Sequence, residues 1–210
     1  ANTTAGFSIV SYTGTGSNAT VGHGLGAVPK MFIVKDRTSG ENWRVYHESL
    51  GNTKEIYLDL ENASVTSSTT WNNTTPTSSV FSVGTVHGTN KSSDNYIAYC
   101  FAEKKGYSKI GSYTGNGNAD GIFVYTGFKP AFFLVKNTGT TDNWFIYDNK
   151  RDPNNVMQTR LRPDASTADT TNADYYMDFL SNGFKLYATN VGFNGSGGTY
   201  IYMAFAENPF

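Results

Sequence analysis

Short apolar runs separated by polar turns dominate the chain. Met31-Phe32-Ile33-Val34 and Ala131-Phe132-Phe133-Leu134-Val135 are bounded by proline and polar residues, as buried strands are. Ile56-Tyr57-Leu58-Asp59-Leu60 alternates, which predicts a strand with one dry and one wetter face. Trp43-Arg44-Val45 also alternates, whereas Trp144-Phe145-Ile146 is apolar throughout. Residues 96–101 and 200–205 are nearly all apolar and predict central strands covered on both sides. Asn182-Gly183, between Phe179-Leu180 and Phe184-Lys185-Leu186, predicts a hairpin turn of two residues that tolerate positive φ. No stretch sustains a 3.6-residue period. About six or seven short strands per ~100 residues predict an all-β chain of β-sandwich architecture.

The strongest signal is internal duplication. Residues 11–47 match residues 112–148 without a gap, at an offset of 101, with 13 of 37 positions identical. Ser11-Tyr12-Thr13-Gly14 returns as Ser112-Tyr113-Thr114-Gly115, and Asn42-Trp43 as Asn143-Trp144. Near the ends the offset is 104, with Tyr96-Ile97 and Phe101-Ala102-Glu103 returning as Tyr200-Ile201 and Phe205-Ala206-Glu207. Two homologous tandem units follow, 1–104 and 105–210, either as separate sandwiches or as halves of one larger sandwich. Gly6-Phe7-Ser8 and Gly106-Tyr107-Ser108 align at an offset of 100. The second unit therefore has one extra residue near Lys109, which predicts a bulge.

Composition narrows the function. Of 210 residues, 87 are Gly, Thr, Asn or Ser, a mixture that favours turns and strands over long helices. The 31 aromatic residues supply the area a core needs. Net charge is −1 and charged residues make up 16%, so no basic surplus exists to grip nucleic acid. No apolar run approaches the ~20 residues that span a bilayer, so neither a signal peptide nor membrane insertion is expected. The single cysteine, Cys100, aligns with Ala204 in a core-like strand and reads as a buried apolar residue.

Catalytic and metal chemistry find little support. His23, His47 and His87 lack ligand spacing, and in the gapless alignment His23 faces Val124 and His47 faces Asp148. They read as turn or surface residues. Asn116-Gly117-Asn118-Ala119-Asp120-Gly121 resembles the start of a calcium loop, but Gly127 stands where the bidentate acid belongs. A tight turn is the better reading. No metal, cofactor or catalytic residue is expected.

Binding chemistry has two candidates. Trp71, Asn72 and Asn73 sit in a polar, loop-like run, and Trp71 has no counterpart in the second unit. An exposed tryptophan beside asparagines could stack on a pyranose while the amides bond its hydroxyls. The competing reading folds Trp71 back to cap the first sandwich. Phe193 and Asn194 lie in a comparable glycine-rich loop of the second unit.

Several segments resemble a recurring module of tailed-bacteriophage virion proteins, common in phages of marine bacteria. They include Gly6-Phe7-Ser8-Ile9-Val10-Ser11-Tyr12-Thr13-Gly14, Val21-Gly22-His23-Gly24-Leu25-Gly26, Tyr96-Ile97-Ala98-Tyr99-Cys100-Phe101-Ala102-Glu103 and the closing Tyr200-Ile201-Tyr202-Met203-Ala204-Phe205-Ala206-Glu207-Asn208-Pro209-Phe210. The resemblance covers nearly the whole chain. It implies a virion-surface protein of tail-fibre or concanavalin-like type, and it supplies no site residues. The expected function is a non-enzymatic tail-fibre module that recognises a bacterial surface glycan or receptor. It would be oligomeric, a trimer by analogy, beside other virion proteins. The alternative is a structural capsid-decoration or fibre-packing module without ligand, and a glycan depolymerase ranks third. A flat aromatic outer patch would favour packing, and a concave loop-lined site would favour glycan binding.

Overall fold

The computed structural model describes residues 1–208; Pro209 and Phe210, the end of the expected second unit, lie outside the described residues. The fold is all-β, with seventeen strands, one α-helical turn and one 3-10 turn among the described residues. The chain divides into two compact units, Ala1–Leu60 with Ser64–Glu103, and Glu61–Ala63 with Lys104–Phe210. The sequence boundary at 104 is thus displaced by one residue, and Glu61–Ala63 joins the second unit. There the Glu61 carbonyl accepts from Asp142 N (2.9 Å) and Lys136 Nζ (3.1 Å).

The first unit holds β1 (Phe7–Thr13), β2 (Ala19–Gly22), β3 (Met31–Asp36), β4 (Arg44–His47), β5 (Lys54–Tyr57), β6 (Val65–Thr66), β7 (Val80–Val83) and β8 (Asn95–Phe101), with the helical turn α1 (His87–Asn90) before β8. Its main sheet runs β1-β8-β3-β4-β5-β6, and β2 pairs with β7 alone. Inward residues of the main sheet, among them Phe32, Val34, Tyr96 and Ala98, pack with Val21, Phe81 and Val83 of the β2-β7 ribbon. The alternation along β8 is the reason, because it turns Tyr96, Ala98 and Cys100 to the core and leaves the residues between them part-exposed.

The second unit holds β9 (Ser108–Thr114), β10 (Phe123–Tyr125), β11 (Phe132–Asn137), β12 (Trp144–Asp148), β13 (Thr159–Arg160), β14 (Thr170–Thr171), β15 (Met177–Leu180), β16 (Gly183–Leu186) and β17 (Thr199–Phe205). Its main sheet runs β12-β11-β17-β9, the order of β4-β3-β8-β1. Register repeats as well: Tyr12 faces Tyr96, and Tyr113 faces Tyr200. The facing sheet is β10-β16-β15, whose Val124, Phe184, Leu186, Met177 and Phe179 close the core over Phe133 and Tyr202. Both runs expected to be central, β8 and β17, have neighbouring strands on each side, but only β17 is covered on both faces, since alternate residues of β8 remain part-exposed.

Three local expectations fail. The strand expected over 56–60 is β5, which runs Lys54–Tyr57, and residues 58–60 turn instead of continuing the alternation. The extra residue near Lys109 makes no bulge, since β9 pairs with β17 without interruption from Ser108 to Thr114. The turn before the strand does not absorb it either, since Lys104 bridges Ser108 across three residues where Asn2 bridges Phe7 across four, and Tyr107 takes the place of Gly6. The β15-β16 hairpin forms, but its loop is Ser181-Asn182, because Gly183 already pairs with Leu180. Gly183 serves close packing instead, since a Cβ there would lie 2.1 Å from the Val124 carbonyl oxygen.

Candidate functional site

The residues first singled out for ligand binding are largely occupied by the fold. Trp71 has no solvent exposure. Its ring meets Phe32 edge-on at 4.9 Å, and its Nε1 donates to the Lys54 carbonyl at 3.0 Å. It caps the first core and cannot serve as a stacking platform. Asn72 and Asn73 take left-handed φ of 50° and 45°, which reverses the chain after Trp71.

Phe193 and Asn194 are also fully buried. Duplication explains them. Asn194 accepts from Asn116 N (3.0 Å) and donates to the Ala188 carbonyl (2.7 Å). Asn90 of the first unit accepts from Thr15 N (2.8 Å) and donates to the Gly84 carbonyl (2.7 Å). Tyr113 Oη donates to the Phe193 carbonyl, as Tyr12 Oη donates to that of Thr89. Each unit therefore locks the same loop with the same buried amide and phenol. Asn194 is buried with both amide hydrogens committed, so it is not presented to a ligand.

The pairing of the smaller sheets revises the sequence alignment. Val21 faces Phe81, and Val124 faces Phe184, so the true offset here is 103. His23 then corresponds to Thr126, and both do the same work. His23 Nδ1 accepts from Leu25 N, Thr126 Oγ1 accepts from Phe128 N, and both residues donate their own N–H across the ribbon, to Ser79 and Asn182. His47 Nδ1 likewise accepts from Ser49 N at 3.2 Å. Both histidines support turns.

The corrected register exposes a real difference. At the positions of Thr20 and Gly22 in β2, strand β10 carries Phe123 and Tyr125. These rings are 45% and 65% exposed, while Val124 between them packs inward. The fold does not require them, because the sister strand is built without aromatics. Both rings lean on glycine. A Cβ at Gly183 would lie 2.9 Å from the Phe123 ring, and one at Gly127 would lie 3.4 Å from Tyr125 Oη. The two rings lie i,i+2 on one face, about 7 Å apart along the strand.

The same sheet face carries polar groups in register. Phe123 faces Lys185, which faces Asp178. Lys185 Nζ donates to Asp120 Oδ1 (2.7 Å) and the Gly121 carbonyl (2.8 Å), and lies 5.5 Å from the Tyr187 ring centre. Tyr187 Oη donates to Asp178 Oδ2 at 3.0 Å. Hydrogen bonding to Lys185 holds the Asp120 carboxyl below the usual carboxylate range, and its side chain is 87% exposed. Burial, with the Asp178 carboxylate alongside, pushes the Tyr187 phenol up.

A shallow cleft of about 360 Å³ in the second unit is lined by Asn137, Thr140 and the loop from Gly195 to Thr199. In the first unit the matching loop carries Lys91 and Asp94, which bond to each other and to Ser39. The cleft's aromatic lining residue, Tyr200, is fully buried and offers no stacking surface. Burial pushes the Cys100 thiol up to about 12, so it is inert at neutral pH. Among the described residues no group of three or more His, Cys, Asp or Glu side chains could hold a metal ion. Among them, too, no helix is long and apolar enough to cross a membrane.

Sequence reasoning missed Phe123 and Tyr125. The signal was present: a Phe-Val-Tyr alternation stands where the other repeat has small residues. Fold and site together describe an all-β chain of repeated design in which one unit carries an added aromatic face. The chain belongs to the family described as Domain of unknown function (DUF7483), whose model matches residues 1–209. No curated protein and no solved structure matches it.

Proposed function

We propose that the chain is a non-enzymatic recognition module that holds a glycan on the face of β10 and β16, as a virion-surface protein of tail-fibre type would. The observation that carries this reading is the exposed Phe123–Tyr125 pair, present in one repeat and absent from the other. Stacking on a pyranose face uses an aromatic ring of this kind, and carboxylates at the edge accept hydroxyl hydrogens. Single sites of this size bind weakly, and several copies on one appendage would raise avidity.

A second reading, packing against another virion subunit, draws on the exposed rings of Phe123 and Tyr125 and on the edge position of β10. The glycan reading is preferred because the apolar part is only two rings wide and is bordered by Asp120, Lys185 and Asp178. Packing interfaces present broader apolar area.

The test is a glycan-array screen of the protein beside a Phe123→Ala/Tyr125→Ala variant, with circular dichroism to verify the fold. Binding by the parent and its loss in the variant is expected. Binding that survives the double substitution discards the face. Silence of a well-folded parent across bacterial surface glycans, with self-association that the variant abolishes, favours packing.

A further inference from the structure

Resting on the glycan reading, we infer that this face selects uncharged, hydroxyl-rich sugars and turns away anionic ones such as uronates and sulfated glycans. The argument is an inventory of donors and acceptors. Lys185 is the cation of this sheet face, and its ammonium is already committed. One hydrogen goes to Asp120 Oδ1 and one to the Gly121 carbonyl, and the third side of the group faces the Tyr187 ring. An anionic ligand would have to break the Asp120 pair to gain a partner.

The unused capacity is of the opposite kind. Asp120 Oδ2 belongs to a side chain that is 87% exposed and bonds Lys185 through its other oxygen. Asp178 adds a second negative charge to the same row but no acceptor for a ligand, since one of its oxygens accepts from Tyr187 and the other is buried. Two carboxylates against one ammonium leave the row with a net charge of −1. Such a surface accepts hydrogens from sugar hydroxyls and repels carboxylate or sulfate. The sister unit lacks this constellation, with Thr20 and Ser82 in the places of Phe123 and Lys185.

The experiment titrates the protein with cellohexaose and chitohexaose as neutral probes. Hexagalacturonate and a heparin hexasaccharide serve as anionic ones, at low and high salt. A neutral probe is expected to bind at least about tenfold tighter than either anionic probe at low salt. Its affinity should change by less than about twofold on adding salt, because no ion pair forms with it. Asp120→Asn, which frees the Lys185 ammonium, should raise hexagalacturonate affinity and narrow the gap. An anionic probe that binds as tightly as the neutral ones through Phe123 and Tyr125 overturns the selectivity and leaves the glycan reading standing. Failure of all four probes to bind overturns both.

Discussion

Replacing Asn194 by alanine separates a scaffold residue from a ligand residue. The Asn194 side chain accepts from Asn116 N and donates to the carbonyls of Ala188 and Asn118 and to Asn116 Oδ1, at 2.7–3.1 Å. The side chain is fully buried and so is its bond to the Ala188 carbonyl, which water cannot replace in the folded state, whereas Asn116 and Asn118 are exposed residues that water can reach. Each hydrogen bond contributes about 1 kcal/mol net, and each buried group left unpaired costs about 1–3 kcal/mol. Orphaning the buried Ala188 carbonyl and losing the part-buried bonds to Asn116 and Asn118 therefore costs about 2–4 kcal/mol, a large part of the ~5–15 kcal/mol that holds a domain folded. Asn90→Ala should cost a similar amount, since its bonds to Thr15 N and the Gly84 carbonyl repeat the pattern. Asn194→Asp, which keeps an acceptor but sets a buried carboxylate against three acceptor oxygens, should cost at least as much. Urea unfolding followed by far-ultraviolet circular dichroism measures all three. A cost below about 1 kcal/mol, or lost glycan binding at unchanged stability, would refute the scaffold role.

Three further outcomes follow from the same geometry. Gly183→Ala places a Cβ against the Val124 carbonyl and the Phe123 ring, so it should lower the melting temperature and weaken glycan binding together; differential scanning calorimetry and titration of the variant check this. Glu55→Ala leaves the buried Arg44 guanidinium without its two 2.6 Å contacts. It should cost about 3–5 kcal/mol, and Arg44→Met/Glu55→Leu should recover most of that in urea unfolding. Stability should also depend on pH in two opposite ways. Burial lowers the Lys136 ammonium to about 8 from its ordinary 10.5, so the unfolded chain binds more protons between those values and stability rises from pH 8 towards 10. Burial raises the phenols of Tyr12, Tyr113 and Tyr147, so above about pH 10 the unfolded chain loses protons first and stability falls. Lys136→Met should remove the rising limb and keep the falling one, as urea midpoints across this range would record.

Strand content and the central positions of β8 and β17 were legible because uninterrupted apolar runs leave few alternatives in a chain without helical periodicity. The alignment of the repeats was legible wherever side chains pack in both. It slipped by two residues at His23, because the turn there needs only an acceptor at one position, and histidine and threonine both supply it. The site was harder to read. Trp71 lies in a run of threonines and asparagines that looks like a surface loop. Nothing local records that its ring reaches back over Phe32. Asn194 looked like a ligand residue for the reason that makes it structural, since an amide satisfies backbone groups as readily as sugar hydroxyls. Phe123 and Tyr125 were hidden by the general abundance of aromatics. The strand register puts them in the places of Thr20 and Gly22 and makes the contrast with the sister unit plain.

The claim that function resides on the aromatic face is tested most directly by amide and aromatic chemical-shift mapping during titration with chitohexaose. Perturbations should cluster at Phe123, Tyr125, Lys185 and Asp120, with Trp71 and the Gly195–Gly198 loop unmoved. Shifts centred on Asn72 and Asn73, or on the cleft beside Thr140, would contradict the account.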